Sequence, residues 1–154
     1  MSKKTTTTTN QTAGGSELPN SMSLKQQIQV LRAFVGPAQL SAMFQGLAGE
    51  ENIYFRDKFS MMTEIIKNMP KTYEQEAMGD SAIVSLHYFT AGADWYITEK
   101  DVETADAPGQ HQAFGMADIG HGGELGYISI VELLRNGAEL DLHFAPRTLA
   151  SIKR

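Results

Sequence analysis

The sequence predicts an α+β fold: three N-terminal helices, then a small, mainly antiparallel sheet carrying one or two short helices. Two observations predict it. Apolar residues recur at steps of three and four before residue 70, and largely at steps of two after residue 81. The later segments are joined by short glycine-containing turns, so they pair as hairpins without long crossovers. Helices gathered at one end of the chain argue against a doubly wound α/β arrangement.

Residues 1–22 read as a disordered tail. Five threonines at positions 5–9, Gly14-Gly15 and Pro19 leave too little apolar surface to offset the entropy of ordering. Residues 23–154 then form a single domain, with a helical part over 23–70 and an acidic sheet part over 81–152. Ser23 suits an N-cap, and Leu24, Ile28, Leu31 and Val35 line one face of a first helix. Gly36-Pro37 stops it. Pro37 then suits the first turn of a short second helix carrying Leu40, Met43, Phe44 and Leu47, closed near Gly46 or Gly49. Phe55, Phe59, Met62, Ile66 and Met69 form the stripe of a third helix, which Pro70 ends. A Met and Phe stripe of this kind is core packing.

Residues 71–80 read as a polar connector. After it the period changes, with a strand over 82–89, a turn over 90–94 and a hairpin partner over 95–98. An exposed loop follows over 104–110. Strands over 113–119 and 125–128 are joined by Gly120-His121-Gly122-Gly123-Glu124. Ser129 and Glu132 have capping-box spacing and open a short helix with Leu133 and Leu134 inward, stopped by Asn136-Gly137. Residues 139–144 alternate, with Leu140, Leu142 and Phe144 opposite Asp141 and His143, and so predict a half-buried strand. Pro146 and Thr148 start a last short helix.

Composition excludes several classes. The chain has no cysteine, which removes disulfides, thiolate zinc sites and a cysteine nucleophile, and suits a reducing cytoplasm. No apolar run approaches the roughly eighteen residues of a membrane helix. Lys3 and Lys4 are followed by threonines and no apolar stretch, unlike a secretory signal, so the sequon at Asn10 carries no weight.

Motifs for chemistry are sparse. The glycines around His121 miss the dinucleotide spacing, because Gly126 falls one residue late and no lysine follows. No serine sits in a nucleophile elbow. His111, His121 and Glu124 could hold a metal ion, the weaker alternative, since their spacing matches no ligand signature and loop side chains are commonly just solvated. His87 and His143 could face each other across the sheet; a hydrogen-bonded sheet histidine is the simpler reading. Asp94, Glu99 and Asp101 flank Trp95 and Tyr96, placing carboxylates beside aromatics as in sugar clefts. No cofactor is called for. Lys25, Arg32, Arg56, Lys58, Lys67, Lys153 and Arg154 are too scattered to track a phosphate backbone, so direct nucleic-acid binding is disfavoured.

His87-Tyr88-Phe89, 94–99 (DWYITE), 112–115 (QAFG) and 124–129 (ELGYIS) carry a resemblance, as does Met69-Pro70-Lys71-Thr72-Tyr73. Over roughly 69–152 the chain resembles a family of uncharacterised small proteins carried on bacterial plasmids, phages and integrated elements. The resemblance implies a bacterial cytoplasm and a mobile element, and assigns no catalytic residue.

Charge supplies the remaining clue. Between Glu74 and Ala145 thirteen acids face two bases, a net −11 in a chain of net −5, which leaves +6 elsewhere. Such a field repels phosphate and attracts basic surfaces. The expectation is a non-enzymatic interaction protein whose acidic and aromatic surface, including Asp94, Trp95, Tyr96, Glu99, Asp101, Asp118 and Glu124, binds a basic nucleic-acid-handling protein. Inhibition of a host defence system would be its purpose. The alternatives are a small metal-dependent enzyme and a DNA-binding accessory factor using the basic helices.

Overall fold

Three helices precede the sheet; the second and third end where expected, while the first stops at Leu31, four residues before the Val35 expected to close its face. The computed structural model describes residues 22–153; the expected tail over 1–22 lies, apart from Met22, outside the described residues, as does Arg154. Helix α1 (Leu24–Leu31) opens at Ser23. The Ser23 hydroxyl accepts from the Gln26 amide while the Gln26 side chain accepts from the Ser23 N–H, so two first-turn donors are satisfied reciprocally. Helix α2 (Pro37–Gly46) begins on Pro37, where the missing N–H removes no helical bond. Helix α3 (Asn52–Asn68) buries Phe59, Met62 and Ile66 and ends as Met69, ahead of Pro70, becomes extended.

The chain then builds β1 (Ile83–Val84), β2 (Leu86–Thr90), β3 (Ala93–Glu99), β4 (Ala113–Asp118) and β5 (Gly123–Ile128). Helix α4 (Ile130–Arg135), β6 (Glu139–Leu140), β7 (Arg147–Thr148) and α5 (Leu149–Ile152) complete it. The architecture is α+β. A five-stranded antiparallel sheet has the order β5-β4-β3-β2-β6, and β1 pairs separately with β7.

Helices α1 to α4 pack on one face of this sheet. Leu31, Phe34, Met43, Phe59, Met62 and Ile66 meet Leu86, Tyr88, Ile97, Ile128 and Leu140 in the main core. Tyr88 is wholly buried; its hydroxyl donates to the Phe34 carbonyl at 2.6 Å, and burial pushes the phenol well above its ordinary value. The opposite, outer face carries a smaller cluster of Val84, Met116, Phe144 and Leu149, which α5 and β7 help to cover.

Three expected segments differ in detail. The strand expected over 82–89 divides at Ser85, whose N–H reaches the Ile97 carbonyl while Ile83 and Val84 turn aside to pair with Thr148 and Arg147. The strand expected over 139–144 stops at Leu140. The Asp141 carboxylate accepts the His143 N–H at 2.9 Å and curls the chain, so Leu140 joins the main core while Phe144 joins the outer cluster. The polar connector over 71–80 is anchored as well as exposed. Gln75 is buried within it, donating to the Ile83 and Thr98 carbonyls and accepting from the Ile83 N–H.

The two sheet edges differ. At β6 the Gln39 amide donates to the Leu140 carbonyl and accepts the Leu140 N–H, standing in for a further strand. At β5 no side chain among the described residues does this, and Leu125 and Tyr127 are exposed.

Candidate functional site

The outer face of the sheet holds two groups of polar and aromatic side chains. Along β3, Asp94 and Tyr96 point outward while Trp95 and Ile97 pack toward the helices. Strict alternation would turn Glu99 inward. A register shift between Ile97 and Glu99 places Glu99 opposite Phe114 instead, on the outer face. The bulge re-aims one carboxylate.

Glu99 forms the floor of a cleft of about 250 Å³ between the connector and strands β3, β4 and β5. Its walls are Phe114, Leu125 and Tyr127 from the sheet, Leu149 from α5 and Tyr73 from the connector. Glu99 is only 4% exposed. Its Oε2 lies 3.2 Å from the Thr98 hydroxyl, which is also 3.1 Å from the Phe114 carbonyl. One hydroxyl hydrogen cannot serve both fully, and the second carboxylate oxygen, Oε1, has no donor among the described residues and stays open to the cleft.

The rim of the cleft is under tension. Tyr73 has φ 77°, a left-handed conformation that a bulky side chain rarely adopts. Its hydroxyl meets that of Tyr127 at 2.6 Å. That hydrogen bond, then burial and nearby charges including Glu76 and Glu99, raises the Tyr127 phenol above its ordinary value.

The second group centres on His87. Its Nε2 is 2.7 Å from Asp94 Oδ1 and its Nδ1 is 3.0 Å from Asp141 Oδ2, while the ring stacks on Tyr96 at 4.7 Å. A neutral imidazole donates through one nitrogen only, so both carboxylates are served at once when the ring carries both protons. Burial pushes the Asp141 carboxyl up, but hydrogen bonds from His87 and the His143 N–H, with the charges of both rings, hold it below its ordinary value. Tyr96 is raised by burial first, then by Asp94, with Asp118 and Asp141 adding and Arg147 opposing.

The residues singled out from the sequence are thus dispersed. Asp94, Tyr96 and Asp118 share one end of the outer face, with Asp94 and Asp118 opposite each other and Asp118 accepting the Gly120 N–H. Trp95 lies on the helix side. Glu99 is at the far end of β3, roughly 16 Å from Asp94 along the strand, well beyond the roughly 5–9.5 Å of a glycosidase pair. Asp101 clamps the loop before β4 by accepting the His111 and Gln112 N–H groups. Glu124 is exposed on edge strand β5.

His111 and His121 lie at opposite ends of β4, and the His111 ring reaches the Pro108 carbonyl. Among the described residues, no three His, Asp or Glu side chains are placed to hold a metal ion. His143 meets Tyr54, and not His87.

Sequence reasoning missed the His87 partners, although a signal existed: the two-residue turn Ala91-Gly92 sets Tyr96 opposite His87 and Asp94 diagonally beside it. Tyr73, Gln75 and Tyr127 had no comparable signal.

Residues 58–151 match the family described as "Protein of unknown function (DUF2958)". The chain belongs to this family. The matched span runs from within α3 to within α5. It therefore includes the whole sheet, the Glu99 cleft and the His87 cluster, and leaves α1 and α2 outside. No curated protein and no solved structure matches the chain.

Proposed function

We propose that the sheet half of this protein is a non-enzymatic binding module for a basic surface on a partner protein. One observation carries the reading: among the described residues, most of its acids have no lysine or arginine partner. Lys100, one of only two bases between Glu74 and Ala145, turns its ammonium inward onto the Ile66 and Lys67 carbonyls at 2.6 and 3.2 Å. Among the described residues, the single ion pair between a carboxylate and a lysine or arginine is Asp80 with Lys153. The remaining field is therefore available to a partner.

The open β5 edge and the exposed Leu125 and Tyr127 add an apolar footing beside that charge. A nucleic-acid-handling protein of a bacterial host, targeted by a mobile element to block a defence system, is the partner that the resemblance favours.

Pull-down from bacterial lysate at low and raised salt tests the reading. Basic proteins are expected on the immobilised chain, eluting as ionic strength rises through roughly 0.1–0.5 M. Charge reversal at Glu74, Glu76 and Glu124 should abolish their retention. Retention of no basic protein, or retention indifferent to salt, would end it.

A further inference from the structure

We infer that the Glu99 cleft is a binding site for an organic cation on an alkyl stem, supplied as a lysine or arginine side chain by the partner. The inference rests on the reading above for the source of the cation, and on the cleft alone for its chemistry. A carboxylate with one oxygen open to a largely apolar cleft favours a charged or multiple-donor partner over a neutral one. Glu99 is only 4% exposed as a residue, and its Oε2 meets a hydroxyl shared with the Phe114 carbonyl, while its Oε1 has no donor among the described residues and is not sealed from solvent, so it stays open to the cleft.

An ammonium or guanidinium entering the cleft would supply that missing donor in a charge-assisted bond. The walls suit the rest of such a group. Tyr73, Phe114 and Tyr127 offer aromatic surface for a cation and its methylenes, and Leu125 and Leu149 offer apolar surface for the stem.

Size and charge narrow the choice. Sites for drug-sized ligands run from roughly 300 to 1,000 Å³, and a cleft of about 250 Å³ holds a side chain and not a nucleotide. Glu76 also lines the cleft and adds negative charge, so a phosphate or carboxylate is repelled. Gln75 is committed to Ile83 and Thr98, which leaves Glu99 as the buried charged group on the cleft lining. The cleft borders the open β5 edge, where an extended partner segment has unpaired backbone to meet.

The test uses amide NMR spectra of the full chain titrated with capped lysine, capped arginine and uncharged capped norleucine. Saturable shifts at Glu99, Phe114, Leu125 and Tyr127 are expected with the two cations and not with norleucine. Glu99→Gln should weaken them roughly tenfold or more, the scale of one charged hydrogen bond. Tyr127→Ala, at an exposed position, should weaken them severalfold with the fold intact, and it decides the matter should Glu99→Gln fail to fold.

Absence of saturable shifts, equal shifts with norleucine, or full affinity in a folded Glu99→Gln overturns the inference. Cadaverine supplies the same cation as a free diamine; tighter binding of cadaverine than of capped lysine overturns the assignment to a protein side chain. A lysate that yields no basic partner ends the earlier reading and leaves the cleft's result standing, because the capped amino acids report on the cleft alone.

Discussion

His87 Nδ1 stands 3.0 Å from Asp141 Oδ2, and this contact fastens the turn after β6 to the second strand of the sheet. The same ring reaches back to Asp94 on β3. Three segments are thereby tied through one imidazole on the outer face, against Tyr96 and Phe144.

Asp141→Asn is expected to expose the strength of that tie. Asparagine can keep the bond from the His143 N–H and loses the charged bond to His87. The folded carboxyl lies below its ordinary value of 3.8. Its contribution is therefore fully present above that value and is lost as pH falls through the lower, folded value. Urea unfolding at pH 7 should show the variant less stable by about 1 kcal/mol, discounted for partial exposure. Below the folded value the difference should shrink.

Gln75 braces the connector that forms one side of the cleft. Its amide satisfies Ile83 N–H, Ile83 C=O and Thr98 C=O together, so no other side chain of its size fits the same demands. Gln75→Met leaves these groups unpaired and should lower unfolding stability by about 2–3 kcal/mol. Gln75→Glu should be worse, because it aims a carboxylate at two carbonyls. Denaturant unfolding of the pair checks the order.

The helical stripe and the hairpins were legible because their determinants are local. Phe59, Met62 and Ile66 needed only helical spacing, and the β4–β5 turn needed glycine at Gly120 and Gly122, whose φ values are 101° and 94°. The site was less legible. Glu99 belonged to the acidic and aromatic residues chosen from the sequence, but its burial depends on a register shift at Thr98 that no residue type marks. Residues 139–144 alternate as a strand would, yet a single side-chain bond from Asp141 to the His143 N–H redirects the chain. Both are tertiary choices overriding a local pattern.

Gly115 makes the register of that central pair possible. A Cβ at this position would collide with the Tyr96 carbonyl oxygen and crowd Ile97, both of them backbone that cannot swing away. Gly115→Ala should therefore destabilise by about 1–3 kcal/mol through strain. Gly126→Ala, with open space around it on the neighbouring strand, serves as the control and should stay close to the parent. Thermal unfolding of the two variants separates close approach from any general intolerance of alanine in these strands.

The rim of the cleft offers the last test, because two effects of one residue can be separated there. Tyr73 combines an unfavourable backbone, at φ 77°, with the hydroxyl contact to Tyr127. Tyr73→Phe keeps the backbone strain and removes the contact. Tyr73→Gly removes both, and the ring it loses is largely exposed. Both variants lose the hydrogen bond, so they differ in relief of the positive φ, worth about 1–3 kcal/mol, against roughly 0.5–1 kcal/mol for the extra backbone entropy glycine loses on folding. Tyr73→Gly should accordingly be at least as stable as Tyr73→Phe, despite deleting more atoms. In both variants Tyr127 loses the largest cause of its raised phenol value, so its ultraviolet titration should move down toward the ordinary 10.0. A Tyr127 titration unchanged in Tyr73→Phe would show that the two hydroxyls are not bonded in solution, and the rim would then be open.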